Sequence, residues 1–250
     1  MRLLITPNPT REKTEKTLTA CTGILESIGA DYSITELTED GGCPDTAGFD
    51  VMVFIGGDGT FLRSSKIALK SGLPVVGVAA GSVGYTADIK KDLAGSLSAL
   101  CEGRYHTVKR STISCMSDNG KKVAVNDVVL MAEKTVCGFD VTCSGRTILS
   151  TRASGLIAAT AIGSSGFARS AGGSLVDDSI DVFALVPVCP YDGNMSPVII
   201  SPDHEYQIVF DRDISVSVDG SDRVFLQGGG KLSFCSCKEK LSIIKSEYFE

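Results

Sequence analysis

The sequence predicts an α/β domain with a mostly parallel sheet over residues 1–103, then a β-rich, sandwich-like domain over 104–235, with 236–250 returning to the first domain. Three observations lead there. Strand and helix patterns alternate through the first hundred residues, as they do in helix-flanked parallel sheets. The strands of that half are near-continuous apolar runs, the mark of strands covered on both faces. From about Arg104 the helices stop and short strands follow one another, separated by turn residues.

In order, Leu3–Ile5 reads as a strand. Thr10 to Ile28 reads as a helix, with Leu18, Cys21, Leu25 and Ile28 at helical spacing and Gly29 as its stop. Tyr32–Ile34 is a short strand, and 38–48 is turn-rich. Val51–Ile55, a helix over Phe61–Lys70, the strand Pro74–Val78 and a helix over Asp92–Cys101 complete the first half. The second half offers strands at His106–Met116, Lys121–Met131, Cys137–Cys143, Arg146–Ser150, Leu156–Thr160, Val182–Val186, Pro197–Ile200, Tyr206–Phe210, Ser215–Val218, Val224–Leu226, Leu232–Cys235 and Leu241–Ile244. Asp118-Asn-Gly120, Ser144-Gly145 and Asp219-Gly220 are the turn signals between them.

Composition narrows the function classes. At 250 residues the chain suits one large or two modest domains. A net charge of −6 argues against a nucleic-acid partner, although a local nest of backbone N–H groups still binds phosphate in an acidic protein. No apolar run approaches the roughly 20 residues that span a bilayer. The apolar start Leu3–Ile5 is short for a signal peptide and leads to Pro7 and Pro9, so a cytoplasmic protein without membrane attachment is expected. The nine cysteines are scattered singly apart from Cys235-Ser-Cys237, which fits reduced thiols better than disulfides or zinc. With only His106 and His204, a histidine-based hydrolytic triad is not expected.

The most informative stretch is Val51-Met-Val-Phe-Ile-Gly-Gly-Asp-Gly-Thr60. A buried strand ends on Gly56-Gly57, presents one carboxylate at Asp58 and passes through Gly59-Thr60 into a helix. Gly56 and Gly57 can take φ > 0 and admit a ligand to the backbone. Thr60 can cap the helix, whose first N–H groups favour an anion. Ligands of open α/β sheets bind at such carboxyl ends of strands. Three more segments share the glycine-loop character or place polar pairs at strand ends: Gly77–Asp88 with Gly81 and Gly84, Val125-Asn-Asp-Val128, and Ser154–Gly173. Strict alternation would face Asn126 and Asp127 oppositely unless a bulge intervenes.

In this order the segments resemble the NAD kinase family, within the superfamily that includes the diacylglycerol and sphingosine kinases. The Gly56–Thr60 loop is shared across the superfamily. The loop at Gly81–Gly84, the pair Asn126-Asp127, the loop Gly163–Gly173, Pro187-Val-Cys-Pro190, Ser196–Ile199 and Val218-Asp-Gly220 resemble NAD kinases in particular. The resemblance implies that Asp58 is the general base for the adenosine ribose 2′-hydroxyl of NAD, with ATP as donor. It implies that the backbone of Gly57, Gly59 and Thr60 holds diphosphate, and that Asn126 and Asp127 contact adenine and ribose. Ser164, Ser165 and Ser170 would then lie along the substrate. A divalent cation, Mg²⁺, is implied on the nucleotide phosphates rather than in a protein cage, together with a homodimer or homotetramer.

The family usually carries Asp where this chain has Ser154, and Thr-Ala-Tyr where it has Ser165, Gly166 and Phe167. Tyr191 stands for the usual His, and Asp127 for a commoner Glu. The adenosine half of the site is better kept than the nicotinamide half. An acceptor that is another adenylated nucleotide is the nearest alternative, followed by a lipid kinase or a non-catalytic nucleotide sensor. Arg63, Lys66 and Lys70 share one side of the helix after Asp58 and read as a solvated face. Asp88 reads as a cap or turn residue and Asp177-Asp178 as an exposed turn.

Overall fold

The computed structural model describes residues 1–8, 12–37, 44–80, 86–117, 120–177, 179–191, 193, 195–221 and 223–249. Thr10, the glycine loop at Gly81–Gly84 and Asp178 lie outside these. The chain divides into two compact units, Met1–Lys109 with Leu241–Glu250, and Arg110–Lys240.

The first unit runs β1 (Arg2–Pro7), α1 (Glu12–Ser27), β2 (Asp31–Ile34), β3 (Val51–Gly56), α2 (Asp58–Ser71), β4 (Val75–Ala79), α3 (Leu93–Cys101) and β5 (His106–Arg110). Its six-stranded sheet has the order β2-β1-β3-β4, then the terminal strand Leu241–Lys245, then β5. The pairs of β1 with β2 and β3, of β3 with β4, and of β4 with the terminal strand are parallel. Every residue of β3 is buried, as its unbroken apolar run requires. Val51, Val53 and Ile55 pack with Cys21 and Leu25 of α1 and with Leu97 and Leu100 of α3. The alternate residue Phe54 meets Phe61 of α2 with ring centroids 5.5 Å apart. Asp92 caps α3 by accepting from the Gly95 N–H at 3.0 Å.

Asp88 reaches across to the last strand of the first sheet. It forms a 2.7 Å ion pair with Lys245 of the terminal strand. The domain boundaries also move, to 109/110 and 240/241. His106–Met116 is not one strand: β5 joins the first sheet, and β6 (Ile113–Ser117) joins the second. Between them the Ser111 N–H and hydroxyl donate to the Asp181 carboxylate at 3.0 and 2.9 Å, and Lys240 pairs with the same carboxylate at 3.0 Å.

The second unit continues with β7 (Gly120–Ala124), β8 (Asp127–Ala132), β9 (Cys137–Cys143), β10 (Arg146–Thr160), a 3-10 turn at Ile162–Ser165, α4 (Phe167–Ser170), β11 (Phe183–Pro190), β12 (Val198–Ile200), β13 (Tyr206–Phe210), β14 (Ile214–Val218), β15 (Val224–Leu226) and β16 (Lys231–Ser236). The strand order is β15-β14-β8-β10-β9-β13-β16-β6-β7, with β11 between β10 and β12. Two expected strands, Arg146–Ser150 and Leu156–Thr160, are one continuous β10. It pairs antiparallel with β9 through Arg146–Ala153 and with β8 through Gly155–Ala159. Conversely, the expected Lys121–Met131 strand breaks at Val125-Asn126. The core holds Phe139, Phe183, Phe210 and Phe234, with Tyr206 stacked on Phe234 at 5.2 Å.

In the first unit the Phe54 ring covers Gly77, where a Cβ would lie 2.1 Å from a ring carbon. Phe54 is 1% exposed, so the ring has little room to withdraw. Gly77→Ala is expected to cost about 1–3 kcal/mol by overpacking. Chemical denaturation measures it, and an unchanged midpoint would show that the ring yields freely.

Candidate active site

Asp58 is the first residue of α2, directly after the N-cap Gly57. Its carboxylate is exposed to solvent and accepts from the Thr86 hydroxyl at 2.8 Å and from the Thr86 N–H at 3.4 Å. Strands β3 and β4 run parallel in register, with Gly56 opposite Ala79. Their carboxyl ends therefore sit side by side, and the segments that follow them meet. That is how residues 28 apart in sequence come together.

The glycines of this loop have different reasons. A Cβ on Gly56 would lie 2.4 Å from the Thr60 hydroxyl, so only glycine fits beside that side chain. Gly57 has φ −111°, and the left-handed conformation expected of it does not occur. A Cβ on Gly59 would meet no described atom within 4 Å; its surroundings are open. Thr60 does not cap the helix, because the helix starts at Asp58, three residues earlier than its apolar pattern suggests. Thr60 is 1% exposed, and its hydroxyl has no hydrogen-bond partner among the described residues.

In the second unit three strand ends meet at one corner. Asp127 at the start of β8 pairs with Ala159 near the end of β10, and Val128 pairs with Val218 at the end of β14. The chain leaves the ladder at Val125-Asn126, and this break removes the strict alternation of Asn126 and Asp127. The Asn126 carbonyl accepts from the Thr160 N–H at 2.8 Å, and the Val125 carbonyl accepts from the Thr160 hydroxyl at 2.6 Å. On the other side the Asp219 carboxylate accepts from the N–H groups of Val125 (3.0 Å), Asn126 (2.7 Å) and Asp127 (3.2 Å). Asn126 keeps a buried carboxamide oxygen without a partner among the described residues.

The Gly163 loop closes on the same backbone. A Cβ on Gly163 would lie 2.1 Å from the Asn126 carbonyl oxygen. The Ser164 hydroxyl accepts from the Val176 N–H at 3.0 Å, so Ser164 fastens the loop from within. Ser165 reaches only the Ile162 carbonyl, at 3.4 Å. Gly166 precedes α4, Phe167 opens it with its ring 45% exposed, and Ser170 ends it in solvent. Ser154 is half-buried on β10, next to a Gly155 whose Cβ would collide with the Leu130 carbonyl at 2.5 Å. Asp177 accepts from the Ser179 N–H and hydroxyl, a local turn.

Two contacts of the site escaped the sequence reading. Thr86 sits in a quoted segment, yet its link to Asp58 follows from which strands are neighbours. Asp219 belongs to a recognised Asp-Gly turn, but its contacts with residues 125–127 depend on β14 lying against β8.

The chain matches two family models: the ATP-NAD kinase N-terminal domain over residues 6–105 and the ATP-NAD kinase C-terminal domain over 125–246. It is similar to the NAD kinase of Ectopseudomonas mendocina, with 30% identity over 207 residues, covering 78% of this chain and 70% of that protein. The NAD kinase of Francisella tularensis subsp. novicida is 29% identical over 213 residues, covering 79% and 72%. An NAD kinase from Archaeoglobus fulgidus in complex with ATP shares the fold with a TM-score of 0.81 at 23% identity, covering 100% of this chain and 96% of that one.

Burial first, and the Asp219 carboxylate second, push the Asp127 carboxyl from 3.8 up to about 6. A folded pKa above the unfolded one favours folding with the proton on. That contribution is complete below about pH 4 and is lost as pH rises through about 6, at a cost of about 3 kcal/mol. Asp127→Asn carries no charge at any pH. It should melt higher than wild type near pH 8, with the difference vanishing near pH 4. Thermal melts across that range decide it, and a difference independent of pH would contradict the shift.

Proposed function

Since the chain belongs to the NAD kinase family, we infer that it transfers the γ-phosphoryl group of ATP to the adenosine ribose 2′-hydroxyl of NAD, giving NADP. The observation that carries this reading is the exposed Asp58 carboxylate at the first turn of α2, oriented by Thr86. A hydroxyl is a weak nucleophile, and a carboxylate within hydrogen-bond reach takes its proton as it meets phosphorus. The open space around Gly59 and the positive end of α2 suit diphosphate at the same strand end.

In the second unit the unpaired Asn126 carboxamide oxygen supports a recognition role, because a buried acceptor without a partner gains when a ligand donor arrives. Asp127 beside it suits contact with a ribose hydroxyl, and the exposed ring of Phe167 suits stacking on a heterocycle. Ser170, exposed at the end of α4, and Ser165, whose hydroxyl makes a long 3.4 Å bond to the Ile162 carbonyl, lie along that segment. Ser164 is already engaged in holding the loop.

Mg²⁺ enters this scheme with ATP, and its chemistry there is to neutralise charge on the β- and γ-phosphates. The glycine loop offers the single carboxylate of Asp58, too few donors to hold a cation without the phosphates. Among the described residues no helix is long and apolar enough to cross a membrane. Among the described residues eight cysteines are free thiols, which supports a cytoplasmic setting. Exposed Phe225 and Met116 on strands of the second unit support a homo-oligomer formed through it.

A second reading keeps the chemistry and changes the acceptor. It is favoured by Ser154, which replaces an acid expected at the nicotinamide ribose, and it calls for an adenylated nucleotide lacking that ribose.

Asp58→Asn is expected to fold normally and to lose turnover by roughly 10²–10⁴, the usual reach of general-base catalysis. Steady-state rates with NAD, ATP and Mg²⁺ measure it; turnover within a few-fold of wild type would remove Asp58 from the role. Ser154→Asp should raise kcat/KM for NAD by supplying a charge-assisted acceptor, about twice as strong as a neutral one. It should leave adenosine nucleotides lacking the nicotinamide ribose unimproved. A fall for NAD would instead mean that the pocket is built around serine.

A further inference from the structure

Asp219 sits in a turn that has no need of a carboxylate. The turn spans Val218–Ser221, closed by the Ser221 N–H to the Val218 carbonyl at 2.9 Å. Its central residues Asp219 and Gly220 have φ of 50° and 68°. Two consecutive positive φ values mark a type I′ turn, for which Asn-Gly is at least as favourable as Asp-Gly. The aspartate also carries a cost, since its charge faces the buried Asp127 and helps to push that carboxyl up to about 6. Strained backbone and like-charge crowding persist where something else requires them.

What the carboxylate alone supplies is two acceptor oxygens for three donors. Oδ1 takes the N–H groups of Asn126 and Asp127, and Oδ2 takes that of Val125. An asparagine would keep one acceptor and turn an NH₂ group toward a donor. The three donors belong to the break before β8, where the chain carries Asn126 with its unpaired carboxamide oxygen. Thr160 and Gly163 hold the carbonyl side of the same peptides.

We propose that Asp219 is a positioning residue for acceptor recognition, fixing the Val125–Asp127 backbone so that the Asn126 amide and the Asp127 carboxyl meet the adenosine moiety. This rests on the NAD kinase reading. Asp219 itself touches backbone, and its effect passes through Asn126 and Asp127.

Asp219→Asn separates the two roles of the residue, because it keeps the turn and removes the clamp. The expected result is a KM for NAD raised about tenfold or more, as loss of charge-assisted hydrogen bonds implies, with KM for ATP unchanged and kcat within about threefold. The acid limb of kcat/KM for NAD should move to lower pH, since Asp127 loses a like-charged neighbour. Asp219→Ala should act in the same direction. An unchanged KM for NAD would overturn the proposal. So would a parallel decline of both substrates and kcat with a lowered melting temperature, or an Asp219→Asn protein that does not fold, because each assigns the carboxylate to stability alone. Should wild type fail to phosphorylate NAD, the kinase reading fails separately. Calorimetric titration of NAD and AMP into wild type and Asp219→Asn then decides: a Kd about tenfold weaker in the variant supports the positioning role, while equal binding or no binding to wild type refutes it.

Discussion

Three successive backbone N–H groups, those of Val125, Asn126 and Asp127, converge on the carboxylate of Asp219. Left in a regular strand, they would alternate between the two edges of β8 and pair with its neighbours. Gathered on one side chain, they oblige the chain to leave the ladder. Much of the corner follows from this constraint. The carbonyls of the same peptides turn to Thr160, the next loop must approach so closely that only glycine fits at 163, and Ser164 is spent in anchoring that loop. A buried backbone group without a partner costs as much as a lost hydrogen bond. At the break the N–H groups therefore find a side chain, and the carbonyls find the hydroxyl and the N–H of Thr160.

The loop at Asp58 works on the opposite principle. There the carboxylate accepts one short hydrogen bond and otherwise faces solvent. Rigidity lies beneath it, in a strand buried throughout and in Thr60 wedged under Gly56. A base must meet its substrate with lone pairs to spare, whereas a recognition backbone must arrive already fixed. On the proposed reading the two units divide these tasks, and their hydrogen bonding differs accordingly.

The first unit was legible because its central strands β1, β3 and β4 are apolar runs and turn residues bound its helices. Apolar runs bounded by Gly56, Gly72 and Asp92 leave few alternatives. In the second unit most strands were found, but their breaks and fusions were not. Residues 146–160 form one strand although Ser150–Ser154 interrupts the apolar pattern, because β9 and β8 supply successive partners along its length. The Val125-Asn126 break leaves no local trace, since its cause lies at Asp219, in a turn that looks ordinary by itself. Helix caps were misread for a related reason: Thr60 is chemically fit to cap α2 but is buried by its contact with Gly56. The residues resembling a known kinase could be named one by one. The contacts of Thr86 with Asp58 and of Asp219 with residues 125–127 could not, because strand adjacency rather than spacing creates them.

The order of strands in the first sheet has a consequence for how the protein is made. The terminal strand Leu241–Lys245 lies between β4 and β5, and Lys245 pairs with Asp88. Everything from Arg110 to Lys240 is synthesised before that strand exists. During translation, at roughly 5–20 residues per second, the first unit must wait on the order of ten seconds with a gap in the middle of its sheet. The second unit is contiguous in the chain, yet its β6 also waits for β16, and its ends are drawn together where Ser111 and Lys240 share Asp181. The nascent first unit meanwhile exposes the apolar edge of β4, the kind of unpaired strand that chaperones shield.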